Sequence, residues 1–343
     1  MLQARNETPF TPGMFLFPNE QGVDTLYVVV KATFDLRQDR LSIARKQCPL
    51  VMADEYWGEP GASSLKYANE AHLLKPGTDV VVVGEAHAPR GRPVETCLVS
   101  VKVGPLHQVV QVFGDRTWRG GLLSPTASAP EPFITMPLVY ERAFGGTHEL
   151  EGGQVLAEPS NPVGQGFRGK RSAREMVGQA LPNLEDPRHL IGGISDTPAP
   201  VGWGPVAPAW MPRKAYAGTY DEQWKARRAP YLPLDFRPEF FQVAPPPLCA
   251  SKGLKGGELV ELINLSPDGP QRFALPRCEL DVTVRIARRP TQPHMRMETV
   301  LLEPGERRLI LTWRGAVECD KRSLKVEEAL FQVKSLKGAG EQE

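Results

Sequence analysis

At 343 residues, 41% hydrophobic and 24% charged, the chain can bury the core of two ordinary domains, or of one domain with a large insertion. Its 41 basic and 40 acidic residues leave a net charge of +1, which argues against a general nucleic-acid or anionic-membrane binder, since those need a basic excess. Gly (32) and Pro (34) together make nearly a fifth of the chain, against roughly 7% and 5% on average, so short strands and long ordered loops are expected.

The opening residues, MLQARNETPF, carry one Arg and no apolar h-region, so no secretory signal is expected. In zone 1–117, the stretch 25–37 reads as one long strand with Val30, Ala32, Phe34 and Leu36 on one face and Lys31, Thr33, Asp35 and Arg37 on the other. Stretches 78–87 and 94–103 flank the turn-forming Ala-Pro-Arg-Gly-Arg-Pro and predict a hairpin. A further short strand is predicted at 107–113. Short connections make antiparallel pairing the natural outcome. The strongest apolar runs, 26–30 and 80–83, are too short to span a bilayer, so no membrane insertion is expected.

Zone 118–247 is a long Pro/Gly/aromatic-rich region without amphipathic periodicity. Short helices are predicted at 172–180 and at 221–228, the second opening on an Asp N-cap. Recurrent aromatics, among them Trp118, Phe144, Trp203, Trp210, Tyr220 and Trp224, predict ordered loops packed over sheets rather than disorder. Zone 248–343 returns to strands at 258–264, 278–287, 295–303 and 307–314, the last two joined by a Pro-Gly hairpin turn. Periodicity leaves 324–333 open between helix and strand. The fold expected is mainly β: two antiparallel sandwich-like units, 1–117 and 248–343, linked by the region 118–247 with one or two short helices.

Few motifs carry chemistry. Gly164, Gly166 and Gly169 satisfy GxGxxG, and 164–170 satisfies the GxxxxGK part of a phosphate loop. Both need a buried strand before them and a helix after, and Leu-Ala-Glu-Pro-Ser-Asn-Pro cannot be a central strand. Five scattered cysteines (Cys48, Cys97, Cys249, Cys278, Cys319) lack CxxC spacing, and six histidines lack HxH or HExxH spacing. No metal or other cofactor is expected, and reduced thiols point to a cytoplasmic protein. No GxSxG elbow or SxxK is present. The densest basic stretch, 168–174, lacks interleaved aromatics and reads as a solvated loop face. Two constellations remain: Gly114-Asp115-Arg116-Thr117-Trp118, and the block 136–146 with Tyr140, Glu141, Arg142 and Phe144 ahead of a double glycine. Their charged pairs could brace a loop. Alternatively they form a recognition surface, because Trp, Tyr and Arg are common interface anchors.

At these residues the chain resembles a domain-of-unknown-function family encoded beside spike and toxin genes in type VI secretion clusters. The matching blocks run in order, from Val29-Val30-Lys31-Ala32-Thr33-Phe34 through Lys75-Pro76-Gly77-Thr78-Asp79-Val80, Gly114–Trp118, 136–146, Asn161-Pro162-Val163-Gly164-Gln165-Gly166 and Leu181-Pro182-Asn183-Leu184-Glu185. Gly218–Trp224, Leu232–Phe236, Lys255-Gly256-Gly257-Glu258 and Thr312-Trp313-Arg314-Gly315 follow. The resemblance implies an effector-specific adaptor or chaperone rather than an enzyme, with a secreted toxin and a spike-tip protein as partners, and it supplies no catalytic residues. Trp118, Tyr140, Arg142, Phe144, Tyr220 and Trp224 are the candidate protein-binding residues. The rival reading is a carbohydrate- or cell-wall-acting hydrolase using Asp115 or Glu141, and a weaker one is a purely structural component of the machine.

Overall fold

Both faces of the strand Asp24–Arg37 are covered, which makes it the organising element of the fold. The computed structural model describes residues 3–37 and 39–340. Alternation sends Leu26, Val28, Val30, Ala32 and Phe34 into the main buried cluster. Lys31 and Thr33, on the other face, are buried under the segment 47–70. β-branched and aromatic side chains fill most of the strand and suit a pleat packed on both sides.

Around it forms a seven-stranded sheet in the order Cys249–Ala250, Thr78–Val82, Arg296–Glu303, Arg308–Glu318, Asp24–Arg37 and Thr11–Pro18, with Arg40–Ile43 also paired to Asp24–Arg37. A five-stranded sheet runs Leu184–Glu185, Leu106–Phe113, Thr96–Val103, Leu259–Ile263, Gln271–Ala274. A four-stranded sheet runs Gln3–Asn6, Val326–Lys337, Arg277–Ile286, Arg289–Thr291. One buried cluster joins Phe34 and Leu311 of the first sheet to Val101 and Val260 of the second and Val284 and Phe331 of the third. Each such side chain contributes about 1.5–3 kcal/mol when fully buried.

The mainly β architecture is as expected, and most pairs are antiparallel. The region 118–247 is ordered over the sheets: Trp203 and Trp210 are buried in the main cluster, and Trp203 O accepts the Val82 amide at 2.9 Å. Helices form at Ala173–Met176, where Ser172 and Glu175 make a capping box, and at Glu222–Arg227, where Asp221 accepts from the Trp224 amide. The undecided stretch is a strand, Val326–Lys337. Among the described residues no helix is long and apolar enough to cross a membrane.

Two expectations are corrected. The hairpin of 78–87 with 94–103 does not form: Thr78–Val82 runs parallel to Arg296–Glu303, while Thr96–Val103 pairs with Leu106–Phe113 across the turn Gly104-Pro105. Gly104 has φ +54, which glycine adopts without strain, and that turn closes a tighter hairpin than the longer Pro/Arg-rich stretch could. Boundaries at 117 and 248 do not separate packing units either. Asp24–Arg37 pairs with Arg308–Glu318, and Thr96–Val103 pairs with Leu259–Ile263, so zones 1–117 and 248–343 share two sheets. The buried edges of the early strands need partners that only the late strands supply.

Candidate functional site

Four loops meet beside the end of the strand Leu106–Phe113, and Asn183 ties them together. This fully buried amide donates to Phe113 O at 3.1 Å and to Asp115 Oδ1 at 2.9 Å. Its Oδ1 accepts from Arg142 Nη1 and Gln165 Nε2, both at 3.0 Å. Arg142 Nη1 also donates to Asp115 Oδ1 at 3.0 Å, and Gln165 Nε2 to Leu181 O at 2.9 Å. Beneath them Arg116 and Glu185 form a buried ion pair; Arg116 donates to Pro182 O at 2.6 Å and lies 3.7 Å over the Phe113 ring. The free side of Arg142, with Asp115, Thr117 and Gln165, lines an open groove of about 510 Å³.

Two glycines of the GxGxxG match, Gly164 and Gly166, pack at this junction against Asn161 and Pro182, and the third, Gly169, packs on His148. Asn161 Nδ2 donates to Tyr140 O at 2.7 Å and Phe144 O at 3.0 Å. Gly145, at φ +151, passes so close to Asn161 that a Cβ would sit 2.1 Å from the Asn161 carbonyl oxygen. The two-residue strands Phe144–Gly145 and Gln165–Gly166 then pair in parallel.

Burial divides the six candidate binding residues. Trp118, Tyr140 and Phe144 are 3%, 4% and 2% exposed, so they are not surface anchors. Trp118 packs with Met176, Leu181 and Ile194, and Tyr140 stands edge-on to Trp210 at 5.6 Å. The physical reason is their large apolar area: Trp118 anchors a small cluster under the loops, while Tyr140 joins the main cluster of the sheets. Arg142 is partly exposed, with its charge shared with Asp115.

Tyr220 and Trp224 differ. Tyr220 is 54% exposed and meets Trp224 edge-on, centroids 4.7 Å apart. The knuckle is held rigidly. Trp224 Nε1 donates to Tyr231 O at 2.9 Å, Asp235 accepts from Thr219 N and Oγ1 at 3.0 and 2.7 Å, and Arg228 donates to Glu20 O at 2.6 Å. Those two hydrogen bonds from Thr219 hold the Asp235 carboxyl below its usual range. Leu234, 88% exposed, belongs to the same lobe.

Residues 21–314 match a family described as "Uncharacterized protein conserved in bacteria (DUF2169)". The chain belongs to that family. No curated protein and no solved structure matches it. In this DUF2169 chain the match spans both the Arg142 junction and the Tyr220–Trp224 lobe.

Sequence reasoning missed a third concentration of polar groups, inside the protein. Across the central sheet Lys31, Thr312, Thr299 and Asp79 lie opposite one another in register on four strands. Glu70 caps the row: its carboxylate accepts from Lys31 Nζ at 2.7 Å, the Val51 amide at 2.7 Å and Thr312 Oγ1 at 3.2 Å. Lys75 donates to Asp79 at 2.8 Å and to Thr299 at 3.0 Å. Arg314, fully buried, makes two 2.9 Å bonds to Glu298 and a 2.6 Å bond to Glu70 O. His72 sits against them, its Nδ1–H donating to Leu73 O at 2.5 Å. Burial first, then Arg314 and Lys75, keep the imidazole neutral and its pKa well below 6.5. Glu298 lies 3.7 Å from Nε2, but its oxygens are already taken by Arg314, so the neutral form holds. A cavity of about 220 Å³ borders the row. The row clamps segment 47–75 onto the sheet. Its signal was present in the sequence as charges embedded in apolar strands, Lys31 after Val30 and Arg314 after Trp313.

Glu141 accepts from Ser64 N and Oγ, both at 2.6 Å. Burial raises the Cys97 thiol to about 11 and Cys278 to about 12, and Cys249 and Cys319 also move upward, opposite to what a nucleophilic thiol needs. Among the described residues no group of three or more His, Cys, Asp or Glu could hold a metal ion.

Proposed function

We propose that this protein is a cytoplasmic, effector-specific adaptor or chaperone of a type VI secretion system, which binds a toxin and promotes its loading onto the spike. The carrying observation is the Tyr220–Trp224 lobe, a rigid, solvent-facing aromatic knuckle flanked by exposed Leu234. Exposed aromatics on a preorganised support lose little entropy on binding, and a toxin awaiting export can present apolar surface that needs cover. The class of partner comes from the resemblance of the ordered sequence blocks to proteins encoded beside spike and toxin genes. The hydrolase reading has weaker support, because Asp115 is engaged by Arg142 and Asn183, and Glu141 by Ser64.

The test is co-expression with the neighbouring toxin gene, followed by affinity purification. A complex that keeps the toxin soluble, and that Tyr220→Ala or Trp224→Ala weakens without unfolding the protein, is expected. Wild-type protein that neither captures nor solubilises the toxin would sink the reading for that toxin.

A further inference from the structure

A groove of about 1020 Å³ opens between the seven-stranded and four-stranded sheets, on neither the knuckle nor the Arg142 junction. Around it stand five exposed cations, Lys252, Lys255, Arg277, Arg296 and Lys337, none of them in an ion pair among the described residues. Among the described residues Arg277 and Arg296 donate only to backbone carbonyls, Gly256 O and Lys75 O, each at 3.2 Å. Two of the three acids that share the groove are neutralised, Glu279 by Lys334 at 2.8 Å and Glu298 by buried Arg314; Glu258 accepts the Lys255 amide at 2.9 Å with one oxygen and keeps its charge, so five cations face one unpaired carboxylate among the described residues. In a chain whose net charge is only +1, such a local excess of positive charge is a selective feature.

One wall of the groove is a strand edge. Arg277–Ile286 pairs with Val326–Lys337 along its whole length, but on its other side only 284–286 are covered, by Arg289–Thr291. Residues 277–280 of that uncovered edge line the groove, and among the described residues no main-chain hydrogen bond reaches them from that side. Charges placed merely to keep an edge from aggregating would sit on the edge strand. Four of the five cations lie elsewhere: Lys252 and Lys255 in the loop after Cys249–Ala250, Arg296 on the facing strand, and Lys337 on the neighbouring one. They surround the space a ligand would fill. Nucleic acid fits less well, since of the rings that line the groove Trp313 is 4% exposed and offers no stacking face, leaving His294 as a single exposed imidazole rather than a stacking series.

We propose that this groove receives an extended, acidic segment of a protein partner, which adds as a short strand to the edge 277–280 and sets its carboxylates against Lys252, Lys255, Arg277, Arg296 and Lys337. Main-chain pairing supplies affinity and the cations supply selectivity for an acidic sequence. The inference rests on the protein-binding reading above, but concerns a different surface from the aromatic knuckle.

The experiment titrates the full chain with a fluorescent peptide alternating Glu and Val, with a Lys–Val peptide and single-stranded DNA as controls. Saturable binding of the acidic peptide is expected, weakening with salt and lost by about tenfold or more in the double variant Lys252→Glu/Arg296→Glu. Both side chains are exposed, so the variant should keep the wild-type melting temperature. Hydrogen exchange at residues 277–280 should slow when the peptide is bound. No saturable binding, tighter binding of DNA, or unchanged exchange at 277–280 would each overturn the proposal. The toxin co-purification separates the two readings. A toxin complex with wild-type protein, but no acidic-peptide binding, removes the groove and leaves the adaptor. Peptide binding at 277–280 without toxin capture removes that toxin and leaves the groove.

Discussion

Trp118 and Tyr220 belong to one residue class, yet opposite outcomes are expected when each is truncated. Tyr220→Ala removes a half-exposed ring and should leave stability within about 0.5 kcal/mol of wild type, while reducing toxin capture in the pull-down. Trp118→Ala empties a buried site and should cost about 3–5 kcal/mol in urea unfolding. Glu298→Ala strands the fully buried Arg314 guanidinium and should cost about the same, about 3–5 kcal/mol. His72 gives the pH dependence. Its native pKa lies well below 6.5 while the unfolded chain takes up the proton near 6.5, so the unfolded state binds more protons below that pH. Stability from this residue is complete above 6.5 and falls as the pH drops toward the native value. Urea midpoints at pH 7 and pH 5 should differ more in wild type than in His72→Gln, and equal differences would refute the assignment. Composition alone could not have separated buried from exposed aromatics. Trp118 and Trp224 both sit in polar, glycine-bearing stretches, and only the loops that close over Trp118 distinguish them.

Local elements were legible wherever their signal was local. Both helices begin at caps readable in the sequence, Ser172 with Glu175 three residues on, and Asp221. The Pro304-Gly305 turn likewise fixes the hairpin of Arg296–Glu303 with Arg308–Glu318. The failed hairpin shows the limit. Turn-forming residues between 88 and 93 looked sufficient, but the true neighbour of Thr78–Val82 is more distant in sequence than any turn can report. A cap that is readable should also be measurable. Asp221→Ala is expected to lose about 1 kcal/mol of local helix stability, seen as faster amide exchange in Glu222–Arg227 with exchange in the central sheet unchanged. Since that helix carries Trp224, the same variant should weaken toxin capture even though it touches no partner.

At the scale of the molecule, the pairing of early with late strands makes 1–117 and 248–343 parts of one cooperative unit rather than two. Each zone expressed alone is expected to be unfolded or insoluble; a folded spectrum from either fragment would contradict this. The chain-order zones were visible in composition, and the sharing of sheets between them was not, because strand alternation names a buried face without naming the neighbour.

The same topology bears on how the protein is made. The hairpin Arg296–Glu303 with Arg308–Glu318 occupies the middle of the central sheet, between strands that leave the ribosome much earlier. Until it emerges, Asp24–Arg37 waits with one side unpaired, and Thr78–Val82 has no sheet neighbour at all before Cys249–Ala250 is made. Translation of the roughly 200 residues between takes on the order of 10–40 s at ordinary rates. Throughout that interval the nascent chain holds two open sheet edges rich in Val and Leu, and it is then that a general holding factor would engage it. A protein proposed to escort another thus requires shelter of its own during synthesis.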